Sequence, residues 1–324
     1  MNKTESTYPY HILAVIVVSI WGTTFVSTKV LLAAGLTPAG IFAIRFALAY
    51  AGIWFFPEHN GRRNDAYSAG NSSRCQPSAR PMPHAERRRR RLMARTWRDE
   101  LLFAALGVTG GSLYFIAENE ALLYSQASNV AFIVCSTPVL TMLMAHFMKH
   151  GERLTKVTAA GTLLSLAGVA VVVFNGCTVL RLNPAGDALA VGAAILWALY
   201  TLILRRLDAT YSVTMITRKT FFYGLATLIP FFAMRPPQVD LGVLTQPAVV
   251  LNLLFLGVVA SLLCYAAWSL IVKHLGSTRT TNYLYINPVV ATITSAALLG
   301  ERITPLAVAG AAMILAGIWM VEKR

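Results

Sequence analysis

The 324-residue sequence contains little charge: only 13% of its residues are Asp, Glu, Lys or Arg, whereas 56% are apolar. A soluble protein usually carries about 25% charged residues. The chain therefore has too little polar surface for a water-soluble globule, which excludes soluble enzymes and ordinary nucleic-acid-binding modules. Acidic residues are especially scarce, 14 against 28 basic ones, so the net charge is +14 and the placement of the basic residues becomes informative.

Cysteine and catalytic motifs are scarce as well. The four cysteines form no C-x-x-C pair, so no disulfide framework or zinc site is indicated. The sequence contains neither the G-x-S-x-G nor the H-E-x-x-H motif. His146 and His150 have the spacing of a metal-ligand pair, but they fall where a predicted helix leaves the membrane. We therefore predict no catalytic residues, no metal site and no cofactor.

Long apolar runs make up most of the chain. A membrane-spanning helix needs roughly 20 mostly apolar residues to cross about 30 Å of hydrocarbon. Ten segments fit this requirement: 11–33, 38–56, 100–123, 128–148, 155–175, 185–204, 212–234, 248–272, 280–299 and 304–321. The sequence thus predicts an all-α membrane protein with ten transmembrane helices.

One segment, residues 57–99, has a different composition. It is rich in Gly, Ser, Asn and Pro and contains five consecutive arginines, Arg87–Arg91. Such a composition cannot bury enough apolar surface to fold, which predicts a disordered insert. We interpret the arginine run as a topology anchor that contacts anionic lipid head groups, with an RNA or regulatory-partner site as the alternative. No aromatic residues interleave the run, which argues against a nucleic-acid partner.

The placement of Lys and Arg predicts the orientation. If both termini are cytoplasmic, most basic residues outside the spans lie on the cytoplasmic side, and this bias remains when the insert is left out. Because Lys and Arg are enriched in cytoplasmic loops, the sequence predicts a multi-pass membrane protein with both termini in the cytoplasm.

The two halves of the chain repeat each other, residues 11–175 forming one five-helix unit and residues 185–321 the other. The matched pairs include Gly107 and Gly257, Pro138 and Pro288, Glu152 and Glu301, Gly168 and Gly317, and Trp21 and Trp197. An odd number of spans makes the second unit enter the membrane from the opposite face. Such inverted repeats place a substrate site near the middle of the bilayer and permit alternating access.

Several short motifs, in this order along the chain, resemble the EamA type of the drug/metabolite transporter superfamily. They are Trp21-Gly22-Thr23-Thr24-Phe25, Ala43-Ile44-Arg45-Phe46, Ala127-Ser128, Gly151-Glu152, Trp197-Ala198-Leu199-Tyr200, Leu275-Gly276-Ser277-Thr278, Pro288 and Gly300-Glu301-Arg302. The resemblance implies a ten-helix permease of the inner membrane that moves small metabolites, often amino acids or drugs, and commonly outward. The chain departs from the family pattern in its basic insert and in an acidic pair, Glu118 and Glu120.

Ionisable residues inside the spans are candidates for the substrate site, because burying them in a membrane is costly. Arg45, Glu118 and Glu120 fall in the outer half of the first unit, together with Lys29. Positions 118 and 120 are about 200° apart on a helix, so one carboxylate at most faces a central cleft. We predict that Arg45 and one of these carboxylates, with Asn119, contact a zwitterionic substrate or a coupling proton. A structural ion-pair network is the alternative.

Aromatic and proline residues complete the candidate site. Trp21, Trp197, Tyr200 and Tyr283 are candidates for its walls, and Asn287 is a candidate for a polar contact. Pro138 and Pro288 lie at matched positions near the middle of two spans, where a proline removes a helix hydrogen bond and forces a kink. We interpret the two prolines as helix kinks involved in gating, with helix packing alone as the other interpretation.

Two further patterns concern helix packing and contact with lipid. Gly161 and Gly168 share one helix face, as do Gly310 and Gly317, which predicts close helix contacts. Arg218 and Lys219, near the inner end of a span, are predicted to reach toward lipid head groups.

The sequence therefore predicts a membrane transporter, a permease or exporter of small metabolites, rather than an enzyme. An intramembrane enzyme and a membrane scaffold protein are the alternatives. The identity of the substrate, the direction of transport, proton coupling and a homodimeric state all stay open.

Overall fold

The computed structural model describes residues 7–56, 93–124, 127–147, 155–174, 183–234, 242–299 and 304–323. All regular secondary structure within these ranges is helical, which confirms the predicted all-α class. Residues 57–92, which hold most of the basic insert and the run Arg87–Arg91, lie outside the described residues, as do the motifs Gly151-Glu152 and Gly300-Glu301-Arg302.

The first half of the chain contains seven described α-helices, four of which are short because two spans are interrupted. They are α1 (Tyr8–Ala33), α2 (Pro38–Ile53), α3 (Trp97–Gly107), α4 (Leu113–Tyr124), α5 (Ala127–Val134), α6 (Thr137–Phe147) and α7 (Lys156–Phe174). In the described second half they are α8 (Pro184–Leu207), α9 (Val213–Ala226), α10 (Ile229–Met234), α11 (Pro247–Leu254), α12 (Cys264–Leu275), α13 (Ser277–Asn282), α14 (Ile286–Leu299) and α15 (Pro305–Glu322).

Five of the helical stretches are long and apolar enough to cross a membrane. They cover Trp97–Ala121, Lys156–Val173, Pro184–Leu207, Pro247–Leu275 and Pro305–Glu322, and shorter apolar helices cover Tyr8–Thr24, Pro38–Ile53 and Phe132–Phe147. Large apolar side chains such as Leu163 and Trp319 are more than half exposed, as expected for helices that face lipid. The chain is therefore a multi-pass membrane protein, whereas the number of ten crossings stays a prediction.

The helix after the insert begins earlier than the sequence indicated. Thr96 caps α3, because its hydroxyl accepts a hydrogen bond from the backbone N–H of Asp99 at 3.2 Å. Residues 97–99, which we assigned to the insert, are therefore the first turn of α3.

Several spans are interrupted at matched places in the two halves. A π-helical segment, Val108–Ser112, joins α3 to α4, and another, Phe255–Leu263, joins α11 to α12. Similarly, residues 135–136 separate α5 from α6 just before Pro138, and a 3-10 turn, Tyr283–Tyr285, precedes α14 and Pro288. Irregular backbone at membrane depth is tolerated where it is buried in protein or lines a cavity, and π-helical segments often occur at functional sites.

Helices α7 and α15 pack against each other through glycine. A Cβ atom on Gly168 would lie 2.6 Å from the carbonyl oxygen of Gly310, and one on Gly310 would lie 2.7 Å from the carbonyl oxygen of Gly168. The hydroxyl of Ser165 also donates a hydrogen bond to the carbonyl of Ile314 at 3.1 Å. The predicted close contact of the glycine faces is thus confirmed.

Helix α1 begins and helix α15 ends on the same face of the bundle. Nδ1 of His11 lies 3.3 Å from Oε2 of Glu322 and 2.7 Å from the hydroxyl of Tyr283. The chain therefore enters its first helix and leaves its last helix on one side.

Arg218 and Lys219 on α9 do not reach toward lipid head groups, so that prediction is wrong. Both residues are only 7% exposed. Lys219 forms an ion pair with Glu100 of α3, and the guanidinium of Arg218 lies 4.8 Å from the ring centroid of Trp54. The carboxylate of Glu100 stabilises Lys219 inside the protein, and the ring of Trp54 stabilises Arg218. Both partners lie outside α9, so the sequence of α9 alone does not indicate them.

Candidate functional site

A group of aromatic side chains occupies the centre of the bundle, where the two halves meet. We call it the aromatic cluster, and its members are Trp21, Tyr114, Trp197, Tyr200, Tyr265 and Trp268. The ring centroids of Trp21 lie 5.5 Å from those of Trp197 and 5.0 Å from those of Trp268. Trp197 in turn lies 5.0 Å from Tyr114 and 5.1 Å from Tyr200. Because Trp21 and Trp197 occupy matched positions, each half of the chain supplies part of this cluster.

The π-helical segments connect directly to the aromatic cluster. The hydroxyl of Tyr265 donates a hydrogen bond to the carbonyl of Gly110 at 2.7 Å, and the indole N–H of Trp21 donates one to the carbonyl of Ala260 at 2.9 Å. Gly110 and Ala260 are matched positions, 150 residues apart. The ring of Tyr200 packs against Gly110 where a Cβ atom would otherwise lie. The interruptions therefore supply the carbonyl groups that hold the aromatic rings in place.

Two opposite charges lie beside the aromatic cluster. Arg45 is 7% exposed, and its Nε donates a hydrogen bond to the hydroxyl of Ser261 at 2.9 Å. The hydroxyl of Tyr114 donates one to the carboxylate of Glu118 at 2.9 Å. Arg45 and Glu118 are close enough for their charges to attract, although no ion pair joins them among the described residues. A cation and an anion are thus fixed separately in the same buried region.

Several buried polar atoms have no hydrogen-bond partner among the described residues, and two of them belong to the aromatic cluster. They are Nε1 of Trp197, Nε1 of Trp268, the hydroxyl of Tyr285 and Oδ1 of Asn287. An unpaired buried polar group costs about 1–3 kcal/mol. The two indole N–H donors of the aromatic cluster, added to the charged pair, give the region the capacity to bind a polar solute.

The structure brings together some of the predicted site residues and separates others. Trp21, Trp197 and Tyr200 are in the aromatic cluster, with Arg45 and Glu118 beside it. Asn119 is partly buried on α4 and Asn287 precedes Pro288 at the start of α14. The backbone of Lys29 is part of α1, and its side chain lies outside the described part of the structure.

Tyr283 contacts His11 near the start of α1, with the ring centroids 6.1 Å apart, and its hydroxyl lies 2.7 Å from Nδ1 of His11. Its role in the wall of a cavity stays a prediction. Tyr283 belongs to the 3-10 turn that joins α13 to α14, and this turn is buried. Pro138 is buried on α6 directly after the break at residues 135–136, and the gating role of both prolines stays a prediction.

Sequence reasoning missed three members of the aromatic cluster, Tyr114, Tyr265 and Trp268, and also Ser261. The repeat itself contained a signal for two of them: the shift of 150 residues that relates the glycines also places Tyr265 opposite Phe115 and Trp268 opposite Glu118. Applying the shift to each charged or aromatic position would have identified them. Among the described residues no three His, Cys, Asp or Glu side chains group as metal ligands would.

Comparison with known proteins identifies the class. The profile of the EamA-like transporter family matches residues 81–174 and again residues 184–322, which together are well over half of the chain. The chain belongs to this family. It is therefore an all-α membrane transporter, in agreement with the interpretation of its sequence motifs.

Two relatives and one solved structure illustrate the similarity. A probable terminal-alkyne amino-acid exporter from Streptantibioticus cattleyicolor is 28% identical over 70% of this chain and 74% of its own length. A probable amino-acid metabolite efflux pump from Escherichia coli K12 is 23% identical over 95% of this chain and 93% of its own length. A crystal structure with 18% sequence identity superimposes with a TM-score of 0.72 over 98% of both chains, which supports the same fold.

Proposed function

We propose that this transporter carries a zwitterionic, amino-acid-like metabolite out of the cell across the inner membrane. The observation that carries the proposal is the separate fixing of Arg45 and Glu118 beside the aromatic cluster. A guanidinium group suits a carboxylate, and a carboxylate suits an ammonium group. The aromatic rings offer an apolar surface to the side chain of the solute.

The names of the two relatives support the same substrate class, since both refer to amino acids and to export. The unpaired N–H groups of Trp197 and Trp268 and the carbonyl oxygen of Asn287 provide further contacts for a solute with both donors and acceptors. A substrate bound between the two halves is in the position that alternating access requires.

In this proposal the two five-helix units are inverted copies that open the aromatic cluster to each side of the membrane in turn. The face that holds His11 and Glu322 is the cytoplasmic one, because the Lys and Arg residues outside the spans favour that orientation. Both termini are then cytoplasmic. The matched π-helical segments are the natural places for the helices to bend during the exchange.

Counterflow in liposomes tests the proposed function. Purified protein is reconstituted with excess unlabelled L-phenylalanine inside, and radiolabelled L-phenylalanine is added outside. We expect transient accumulation of label and recovery of the labelled solute chemically unchanged. Accumulation that does not exceed that of protein-free liposomes, for L-phenylalanine and for a panel of other amino acids, would contradict the proposal. Chemical conversion of the solute would favour the intramembrane enzyme instead.

Replacing Glu118→Gln should weaken recognition of the ammonium group selectively. The amide keeps the size of the side chain and its ability to accept from Tyr114, but it loses the negative charge. We expect the KM for L-phenylalanine to rise about tenfold, which corresponds to about 1.4 kcal/mol. The KM for 3-phenylpropanoate, which lacks the ammonium group, should change little.

Glu120→Gln is the matched control for this prediction. It makes the same chemical change two residues along α4, on a different side of the helix. If both variants lose affinity equally, or if E118Q affects the two solutes alike, Glu118 does not bind the ammonium group.

A further inference from the structure

Asp208 is a buried carboxylate that the proposed substrate site does not use. It follows the last residue of α8 and is only 3% exposed. Neither of its carboxylate oxygens accepts a hydrogen bond from a described residue. An ionised carboxylate in this position lacks the hydrogen bonds that normally accompany a buried charge.

The surroundings of Asp208 join two helices at the cytoplasmic face. Nη1 of Arg205 donates hydrogen bonds to the carbonyl oxygens of Val272 (3.3 Å) and Lys273 (2.7 Å), which connect α8 to α12. The positive charges of Arg205 and Lys273 are close enough to attract the carboxylate of Asp208. Tyr200, a member of the aromatic cluster, lies about two turns before Asp208 along the same helix.

Other charged groups near this end of the bundle have partners of their own. On α3, Asp99 accepts a hydrogen bond from Tyr211 at 2.7 Å. Glu100, also on α3, accepts from Lys219 and Tyr223 of α9. Asp208 therefore differs from Asp99 and Glu100 in having charged neighbours but no hydrogen bond. Glu322 of α15 also lacks a hydrogen bond, but it lies 3.3 Å from Nδ1 of His11.

Burial raises the pKa of Asp208 from 3.8 to about 7, even though Lys273 and Arg205 act to lower it. If α8 and α12 separate at the cytoplasmic face, water reaches Asp208, the cost of burial disappears and the pKa falls toward its ordinary value. The closed arrangement consequently binds a proton more tightly than the open one. By linkage, protonation favours closure to the same extent that closure favours protonation.

We propose that Asp208 is a proton-binding site that links protonation to closure of the cytoplasmic end of the transporter. The proton is held while α8 and α12 are in contact, and it is released to the cytoplasm when they separate. The inference rests on the opening and closing of this end that the proposed function assumes. It adds to the proposed function that the coupling ion is a proton, which the substrate site alone does not specify.

Cysteine labelling without any substrate tests this inference. Ser269 on α12 is 1% exposed, so Ser269→Cys in a variant with all native cysteines replaced by alanine reports opening of the cytoplasmic half. Alkylation by N-ethylmaleimide is measured between pH 6 and pH 8 and divided by the rate for the unfolded protein at the same pH. With Asp208 present, the normalised rate should rise about tenfold, because the ionised fraction grows from about one tenth to about nine tenths.

Three variants at acidic positions define the outcome. Asp208→Asn should keep the slow rate at every pH, whereas Asp208→Glu should regain a pH response. Asp187→Asn, the same change at the other end of α8, should show the same pH response as the protein that keeps both aspartates. A pH response that survives D208N would overturn the proposal and assign the effect to another group, with His11 and Glu322 as the first to examine.

Thermal unfolding provides an independent measurement. A raised carboxylate pKa makes the folded state bind more protons than the unfolded state between about pH 4 and pH 7, so stability falls as the pH rises through this window. Relative to the unchanged protein, D208N should therefore raise the Tm by about 5 °C at pH 8 and change it little at pH 4. An equal Tm difference at both pH values would contradict the proton site. If L-phenylalanine counterflow fails but both pH effects appear, the proposed substrate class is wrong, whereas the proton-binding role of Asp208 is supported.

Discussion

Replacing Arg45→Gln is expected to reduce transport of L-phenylalanine about a hundredfold. The guanidinium is the only described cation beside the aromatic cluster, and its orientation is fixed by the hydrogen bond to Ser261 and by the ring of Phe115 at 5.1 Å. Losing a charge-assisted hydrogen bond to the substrate carboxylate in a buried site costs up to about 3 kcal/mol. Initial rates of counterflow, normalised to the amount of folded protein in the liposomes, measure the effect.

Two further variants separate substrate binding from folding. Arg45→Lys keeps the charge but loses the fixed orientation, so its activity should lie between those of the unchanged protein and R45Q. Arg206→Gln removes a charge from an exposed position and should leave transport unchanged. Normal transport by well-folded R45Q would remove Arg45 from the substrate site.

Replacing Gly168→Ala is expected to produce a large loss of stability for the addition of a single methyl group. The added Cβ would lie 2.6 Å from the carbonyl oxygen of Gly310 and 2.8 Å from the backbone nitrogen of Ile314. Both obstacles are backbone atoms of α15, so the two helices must move apart. Overpacking of this kind costs about 1–3 kcal/mol. The apparent Tm in detergent, measured by loss of the monodisperse chromatographic peak, should fall by several degrees.

Gly192→Ala is the matched control because the same methyl group meets no atom within 4 Å on α8. Alanine is favoured over glycine in a helix by up to about 1 kcal/mol, so the Tm should stay the same or rise slightly. A Tm that falls equally in both variants would show that the loss at Gly168 does not come from contact with α15.

Features that depend on the sequence within one helix could be predicted, and features that depend on contacts between helices could not. The segment 155–175 coincides with α7 and the segment 304–321 with α15, because about 20 apolar residues are sufficient to indicate a span. The glycine faces of these two helices were also predictable, since small residues seven positions apart share one side. The α7–α15 partnership itself, however, depends on the folded arrangement.

The candidate site was predictable in part for the same reason. Arg45 and Glu118 attract attention in any apolar span because their burial is costly. Tyr265 and Trp268 do not stand out by residue type, since aromatic residues are common in spans; only the repeat indicates them, and their contacts with Trp21 depend on the fold. Lys219 illustrates the converse: its sequence neighbours suggest a cation at the lipid surface, and its partner Glu100 is distant in the chain.

The reciprocal glycine contacts of α7 and α15 also have a practical consequence for spectroscopy. Because backbone touches backbone, the spacing of these two helices cannot vary without breaking the contact, so the pair is a rigid unit. Leu163 and Leu315 project from it and are each 55% exposed, which makes them suitable positions for spin labels. A label pair at these positions provides an internal length standard against which displacement of any other helix is read.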